Sequence, residues 1–174
     1  MHSTASSDRI PVVAAAFRTP IGRIGGTLSA IEPASLAAPL IQRILDETGL
    51  PPDAVDDVIL GNAANSAGNL ARLAALEAGL PVCVPGMTVD RQCGSGLEAI
   101  TLAARLVQAG AGRFYLAGGT ESTSRAHLRF RPPSAPGSAP EPLRRARMAP
   151  DTVGDPDMGI AAENVAAHAG ISRE

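Results

Sequence analysis

The sequence has few aromatic residues and no lysine, and each shortage excludes a class of function. Phe, Trp and Tyr make up 2% of the 174 residues, so there are few rings on which nucleic-acid bases stack. All 15 basic residues are arginine, which excludes a Schiff-base lysine or a phosphate-loop lysine within this sequence. With a formal net charge of -2, the composition argues against nucleic acid as a partner.

Cysteine and long apolar runs are also scarce. The two cysteines, Cys83 and Cys93, form no Cys-x-x-Cys pair and no cluster with histidine, so we predict free thiols and neither a disulfide framework nor a zinc site. No apolar run is long enough for a membrane span, and the N-terminal stretch MHSTASSDRI lacks the pattern of a secretory signal. We therefore expect a cytoplasmic protein without membrane contacts or a bound metal.

What the sequence contains is 45% hydrophobic residues, enough for one core, in alternating strand and helix patterns. Apolar runs typical of strands lie at 10–17, 56–63, 86–92 and 113–119, and helical spacing lies at 34–48, 69–78, 96–109 and 158–170. Pro39, inside the first helical pattern, predicts a late helix start or a kink. The order βαβαβαβ predicts a parallel α/β sheet with helices on both faces.

A change of composition after residue 121 predicts a domain boundary. Residues 1–121 carry the alternating pattern, whereas 122–174 hold a stretch rich in proline and arginine followed by one helical pattern. We expect that stretch to be a long excursion from the sheet. The final residues ISRE are typical of the opening of another helix, so we expect a longer chain or a second polypeptide to complete the fold.

Cys93 lies in VDRQCGSGLEAI, between a predicted strand and a predicted helix. The unpaired N–H groups and the dipole of a helix start stabilise a thiolate, and ligands bind at the carboxyl ends of parallel strands. Gly94 and Gly96 permit a sharp turn, and Ser95 is predicted to cap the helix. A buried packing role fits equally well, because free cysteines are among the most buried residues. From these residues alone, both interpretations remain open.

Several segments follow one another in a characteristic order: RTPIGRIGGTL (18–28), GN (61–62), ARLAALEAGLP (71–81), QCGSGLEAI (92–100), AGGTESTSRA (117–126) and DMGIAAENVA (157–166). In this respect the sequence, from residue 10 to 174, resembles the thiolases, which cleave or form the carbon–carbon bond of 3-oxoacyl-CoA thioesters. The resemblance implies the N-terminal half of a thiolase, an α/β domain followed by the start of a loop domain. Related condensing enzymes of the same fold, such as ketoacyl synthases, are the alternative.

By this resemblance Cys93 is the acyl-carrying nucleophile, and Met158 lies near the acyl end of a CoA thioester substrate. No bound cofactor is implied. A thiolase also needs a histidine in a Gly-His-Pro motif, an asparagine that holds an oxyanion-hole water and a second cysteine in a Cys-Gly-Gly type motif. No histidine here precedes proline, and Cys83 is followed by Val84. The resemblance therefore implies a second polypeptide that supplies these groups within a homo- or hetero-oligomer.

The expected function is that of the nucleophile-bearing subunit of a split thiolase, which transfers acyl groups between 3-oxoacyl-CoA or acyl-CoA and CoA through an acyl-Cys93 intermediate. Alone, the chain should be nearly inactive, because a thiolate without a base and oxyanion donors loses most of its transition-state stabilisation. A non-catalytic scaffolding or dimerising half-thiolase and a truncated fragment are the alternatives.

Two further features carry two interpretations each. Arg144, Arg145 and Arg147 suit CoA phosphates, although a solvated basic loop is favoured. Glu121 is expected to hold the active-site loops by hydrogen bonds, with acid/base work as the less favoured role.

Overall fold

The computed structural model describes residues 9–65, 68–143 and 145–174. The elements in chain order are α1 (Pro33–Thr48), β1 (Asp57–Gly61), α2 (Leu70–Glu77), β2 (Gly86–Val89), α3 (Ser95–Ala109), β3 (Tyr115–Gly119), β4 (Phe130–Arg131), β5 (Glu141–Pro142) and α4 (Met158–Ala169). Single turns of 3₁₀ helix lie at Pro52–Ala54 and Thr123–Arg125. The chain divides into two compact units, Met1–His127 and Leu128–Glu174. The domain boundary expected after residue 121 stays a prediction.

The centre of the first unit is a parallel sheet with the strand order β2-β1-β3. The register places Gly61, at the carboxyl end of β1, between Val89 of β2 and Gly119 of β3. All three strands therefore end at one edge, as expected for parallel strands that are joined by helical crossovers. The parallel α/β architecture predicted from the sequence is confirmed.

Helices cover both faces of this sheet, which explains the uninterrupted apolar run of β1. Val58 and Leu60 belong to an alanine-rich core cluster with residues of α1 and α2. Ile59 belongs to a second cluster with Ala99 and Ala103 of α3. Successive side chains of a strand point to opposite faces, so one short strand contributes to two cores.

The helix patterns agree with the structure to within a few residues. α1 and α3 end at Gly49 and Gly110, whose left-handed φ angles of 63° and 73° fit the predicted glycine stop signals. α1 begins at Pro33, so the late start inferred from Pro39 is wrong. Pro39 is exposed inside the helix, where water can bond the carbonyl that its missing N–H leaves free.

The strand predicted at 10–17 is not formed, and this expectation is wrong. A strand requires ladder hydrogen bonds to a neighbour, and 10–17 pairs with none of β1, β2 and β3. Ile10, Val12 and Val13 remain 80%, 82% and 78% exposed. The apolar run indicated that the segment suits a sheet, but a run of residues cannot indicate whether a partner strand is present.

The second unit contains a short antiparallel pair and one helix. Phe130 pairs with Pro142 and Arg131 with Glu141, in a stretch where the sequence predicted only a long excursion. α4 has the predicted bounds to within one residue, yet none of its residues is buried. The helix therefore gains little from a buried apolar face within its own unit.

Candidate active site

Cys93 lies at the carboxyl edge of the parallel sheet. The chain leaves β2 at Val89 and enters α3 at Ser95, and Cys93 occupies the turn between them. Its side chain is a free, exposed thiol. The packing interpretation required burial, which the structure does not show. Cys83 is free and exposed as well, so exposure by itself does not distinguish the two cysteines.

The backbone of the turn that carries Cys93 is tightly folded. Among the described residues, Gln92 is the only non-glycine residue with a positive φ, 49°. For residues other than glycine this conformation costs about 1–2 kcal/mol. The N–H of Gly94 donates to the carbonyl of Arg91 at 3.0 Å, and the N–H of Ser95 donates to that of Gln92 at 3.1 Å. The fold thus accepts local strain in order to keep this turn.

Ser95 fixes this turn and does not cap α3. Its hydroxyl donates to the carbonyl of Gln92 at 2.6 Å and accepts the N–H of Arg91 at 2.8 Å. The N-cap position is held by Gly94, and no side chain caps the helix there. The predicted capping role is therefore wrong, because the buried hydroxyl bonds the backbone of the turn itself.

The edge of the sheet supports the turn through backbone contact. A Cβ atom added at Gly61 would lie 2.3 Å from the carbonyl carbon of Ser95 and 2.4 Å from the nitrogen of Gly96. A Cβ atom added at Gly119 would lie 3.1 Å from the Cα of Gly96. Only glycine at position 61 lets the first turn of α3 lie against the end of β1. The GN segment thus has a steric role that its spacing did not reveal.

A polar network joins the loops that follow β1 and β3. The side-chain amide of Asn62 donates to the carbonyl of Thr120 and to Glu121 Oε1, both at 2.8 Å. Glu121 Oε2 accepts the N–H groups of Ala63 and Ala64 at 2.8 and 3.2 Å. Asn62 is 2% exposed. These contacts match the loop-holding role expected for Glu121 and show what it binds.

Asn65 and Ser122 extend the network. The Asn65 amide donates to the carbonyl of Ser122, and its oxygen accepts the N–H of Ser122, both at 2.8 Å. The N–H of Asn65 donates to Asn62 Oδ1 at 3.0 Å. Sequence reasoning missed both asparagines. The available signal was one carboxamide directly after a buried strand and a second one three residues later, since a buried polar group is almost always hydrogen-bonded.

A cavity of about 230 Å³ lies near this network, between residues 19–29, α1 and residues 119–124. A second cavity, of about 430 Å³, is lined by residues that include Glu32, Asn69 and His127. Cys93 lines neither of them. The thiol therefore lies on an open part of the surface that these cavities do not enclose.

Met158 and the arginine cluster belong to the second unit. Met158 is the first residue of α4 and is 69% exposed. Arg145 forms ion pairs with Asp155 at 3.0 Å and Asp157 at 2.9 Å. The hydrogen bond from Arg145 lowers the pKa of Asp155. Arg145 is therefore engaged by carboxylates of its own unit.

Arg147 is likewise paired, with Asp151 at 2.6 Å, and Arg144 lies outside the described residues. The pairing of Arg145 and Arg147 agrees with the favoured interpretation of a solvated loop. Carboxylates of the same unit already accept from part of the guanidinium donors that would otherwise suit CoA phosphates.

The remaining candidate features are metal ligands, membrane-spanning helices and the three histidines. Across 9–65, 68–143 and 145–174, no group of three or more His, Cys, Asp and Glu residues could hold a metal ion. Within those same ranges, no helix is long and apolar enough to cross a membrane. His168 lies in the last turn of α4, and the N–H of His127 donates to the carbonyl of Ala64 at 3.4 Å. His2 lies outside the described residues.

Comparison with known proteins gives consistent matches. The family model described as the thiolase N-terminal domain matches residues 11–174. The protein "Putative acetyl-CoA C-acetyltransferase YhfS" of Bacillus subtilis (strain 168) is 52% identical over 162 residues, which cover 93% of this chain and 40% of that protein. The protein "Putative acetyl-CoA C-acetyltransferase VraB" of Staphylococcus aureus (strain MRSA252) is 48% identical over 165 residues, covering 94% of this chain and 43% of that protein.

A solved structure shares the fold. The crystal structure of the Bacillus anthracis acetyl-CoA acetyltransferase matches with a TM-score of 0.76 at 34% sequence identity, covering 90% of this chain and 41% of that one. The chain thus spans about two fifths of the length of the relatives it matches. The matched residues, 11–174, include the turn that carries Cys93 and the network around Asn62.

Proposed function

Because this chain belongs to the thiolase family and matches its N-terminal domain, we propose that it carries the nucleophile of an acyl transfer between CoA thioesters. The observation that carries the proposal is the exposed thiol of Cys93, held in a strained turn between the carboxyl end of β2 and the start of α3. A helix N-terminus stabilises a thiolate, which is the reactive form of cysteine.

In the first half-reaction, the sulfur of Cys93 bonds to the carbonyl carbon of an acyl-CoA. The bond from that carbon to the CoA sulfur breaks, and CoA leaves with the electron pair and takes up the proton lost by the Cys93 thiol. In the second half-reaction, another acyl-CoA loses a proton from its α-carbon, and that carbon bonds to the acyl carbon. The bond from the acyl carbon to Cys93 breaks, and the Cys93 sulfur leaves with the electron pair and takes up the proton. The products are a 3-oxoacyl-CoA and the regenerated Cys93, and the reverse sequence is thiolytic cleavage.

Besides the Cys93 thiol, the reaction needs an acid/base group for the proton transfers and hydrogen-bond donors for the oxyanion that forms at the acyl carbon. We propose that a complementary polypeptide, equivalent to the part of the relatives not matched here, supplies a histidine, an asparagine and a second cysteine. The two chains would form a homo- or hetero-oligomer in the cytoplasm, where free thiols persist. Met158 would lie near the acyl group in that assembly. The chemistry uses the CoA thioester as substrate and needs no resident cofactor.

Intact-mass spectrometry after incubation with acetyl-CoA, with and without the complementary polypeptide, tests this proposal. We expect one acetyl group per chain, dependent on the second polypeptide, lost in Cys93→Ala and retained in Cys83→Ala. Turnover of acetoacetyl-CoA should fall by at least about 10³-fold in Cys93→Ala, because the covalent route is removed. Absence of an adduct with both polypeptides present would contradict the catalytic role and favour a non-catalytic scaffolding half.

A further inference from the structure

We propose that Asn62 and Glu121, together called the Asn62–Glu121 clamp, are positioning residues that set the place of the Cys93 thiol. The inference rests on the proposed function, because the position of the thiol matters to a reaction only if Cys93 reacts. Neither residue is proposed to touch the substrate. Their role would be to hold three strand ends together beneath the turn that carries the nucleophile.

The clamp lies where the three strands of the sheet end. The N–H of Asn62 donates to the carbonyl of Val89, the last residue of β2, at 3.1 Å. The N–H of Thr120 donates to the carbonyl of Gly61 at 3.1 Å. The side-chain amide of Asn62 also donates to Thr120 and Glu121, which adds a second link between the residues that follow β1 and β3. One residue thus links the ends of β2 and β3 through β1.

Both polar atoms of the Asn62 side chain are hydrogen-bonded, in a place that is nearly closed to water. Its amide donates to Thr120 and Glu121, and its oxygen accepts the N–H of Asn65. Asn62 is 2% exposed, so water cannot readily replace a hydrogen-bond partner that is lost. Removing one partner would therefore leave buried donors or acceptors without a bond, which is costly and forces the loops to move.

A movement of the clamp reaches the turn through rigid contacts. Gly61, the neighbour of Asn62, lies against the backbone of Ser95 and Gly96. Ser95, which follows Cys93, in turn bonds the backbone of Arg91 and Gln92, which precede it. No long flexible side chain separates the clamp from the residues that flank Cys93. Displacing a reacting group by about 1 Å costs on the order of 10²-fold in rate.

Three variants of this chain test the clamp in the assembly with its complementary polypeptide: Asn62→Asp, Glu121→Gln and the double variant. In Asn62→Asp, a carboxylate at position 62 faces both the Glu121 carboxylate and the carbonyl of Thr120, so all three are acceptors. In the double variant, the glutamine amide donates to the new carboxylate, while its oxygen still accepts from Ala63 and Ala64. The control is Glu47→Gln, which removes one carboxylate charge, as Glu121→Gln does, but from an exposed ion pair with Arg43 on α1.

For acetoacetyl-CoA cleavage, we expect Asn62→Asp to lower kcat by about 10²-fold with KM changed by less than about threefold, and the double variant to recover about tenfold. Glu47→Gln should match the parent. Iodoacetamide labelling of Cys93, normalised to Cys83 in the same chain by peptide mass spectrometry, should fall at least about threefold in Asn62→Asp, because the thiol is displaced from the helix start. Melting temperatures report any loss of folded protein.

A lower melting temperature with unchanged kcat per folded molecule and unchanged labelling would overturn the clamp, since a merely structural role moves only stability. A loss of kcat that the double variant does not relieve would overturn the pairing of the two residues. If the parent assembly transfers no acetyl group but labelling of Cys93 still falls in Asn62→Asp, the proposed function fails and the clamp stands. Normal acetyl transfer with equal labelling of Cys93 in all variants would support the proposed function and contradict the positioning role of the clamp.

Discussion

The two ends of the parallel sheet carry one exposed cysteine each, yet they differ in what surrounds it. Cys83 lies before β2, in a turn whose carbonyls at Val82 and Val84 accept from the guanidinium of Arg72. Cys93 lies after β2, in a turn that opens directly into α3. A helix start carries partial positive charge, which favours a thiolate. The two exposed thiols therefore differ in their backbone surroundings, since Cys93 lies beside the start of a helix and Cys83 lies before a strand.

The ends also differ in how well their polar groups are satisfied. At the amino end, hydrogen bonds from the N–H groups of Phe114 and Arg113 lower the pKa of Asp56. Burial raises the pKa of the neighbouring Asp57, whose Oδ1 atom has no hydrogen-bond partner within the described ranges. Burial likewise raises the pKa of Tyr115. At the carboxyl end, the buried Asn62 and Asn65 are paired. Among the described residues, the end that holds Cys93 is therefore the better satisfied one.

The largest expected effect comes from adding a methyl group at Gly61, which lies beneath the turn that carries Cys93. Gly61→Ala places a Cβ atom against the backbone of Ser95, which cannot give way as a flexible side chain would. We expect a loss of about 3 kcal/mol in the free energy of unfolding, or roughly 6–12 °C in Tm. Gly118→Ala, on β3 with no atom near the added Cβ, is the matched control. Equal Tm values for the two variants would disprove the steric role of Gly61.

The second prediction concerns two adjacent residues at the amino end of the sheet, Asp56 and Asp57, whose substitution should change Tm in opposite directions. Ionised Asp56 stabilises the fold above its unfolded pKa, and this contribution is lost as pH falls through its lowered folded pKa. Ionised Asp57 destabilises the fold above its raised folded pKa, and this cost disappears when the carboxylate is protonated at lower pH. At pH 7, Asp56→Asn should lower Tm and Asp57→Asn should raise it, each by about 2–4 °C after allowance for solvent screening.

Thermal unfolding from about pH 7 down to about pH 3 checks these signs. Both differences from the parent should shrink as the parent carboxylates become protonated. A fall in Tm for Asp57→Asn at pH 7 would show that its buried oxygen is paired in solution.

The smallest expected effect concerns strain in the turn itself. Gln92→Gly removes the penalty of a left-handed residue, about 1 kcal/mol, but part of this gain is offset by the greater freedom of glycine in the unfolded chain. We expect Tm to rise by about 1–2 °C. Gln92→Val should lower it, because β-branched residues tolerate positive φ poorly. The opposite order in calorimetry would show that the turn has another conformation in solution.

Local patterns predicted most of the first unit because each helix and strand there carries its own signal. The leucine and alanine spacing of α1, α2 and α3, with Gly49 and Gly110 as stops, gave bounds close to those observed. The expectation for 10–17 failed because pairing depends on another strand. The expectation for Ser95 failed because its hydroxyl had two possible partners, the helix N-terminus and the backbone of the turn, and only the turn geometry selects between them.

The sequence by itself determined the family, the parallel α/β class and the choice of Cys93 as candidate nucleophile, because these depend on residue types and on periodicities that act over a few neighbours. Only the tertiary structure decided that Asn62 and Glu121 join the strand ends, and that Gly61 must be glycine. Those roles arise between residues such as Asn62 and Glu121 that lie far apart in the chain. They meet because parallel strands that are joined by helices all end at one edge of the sheet.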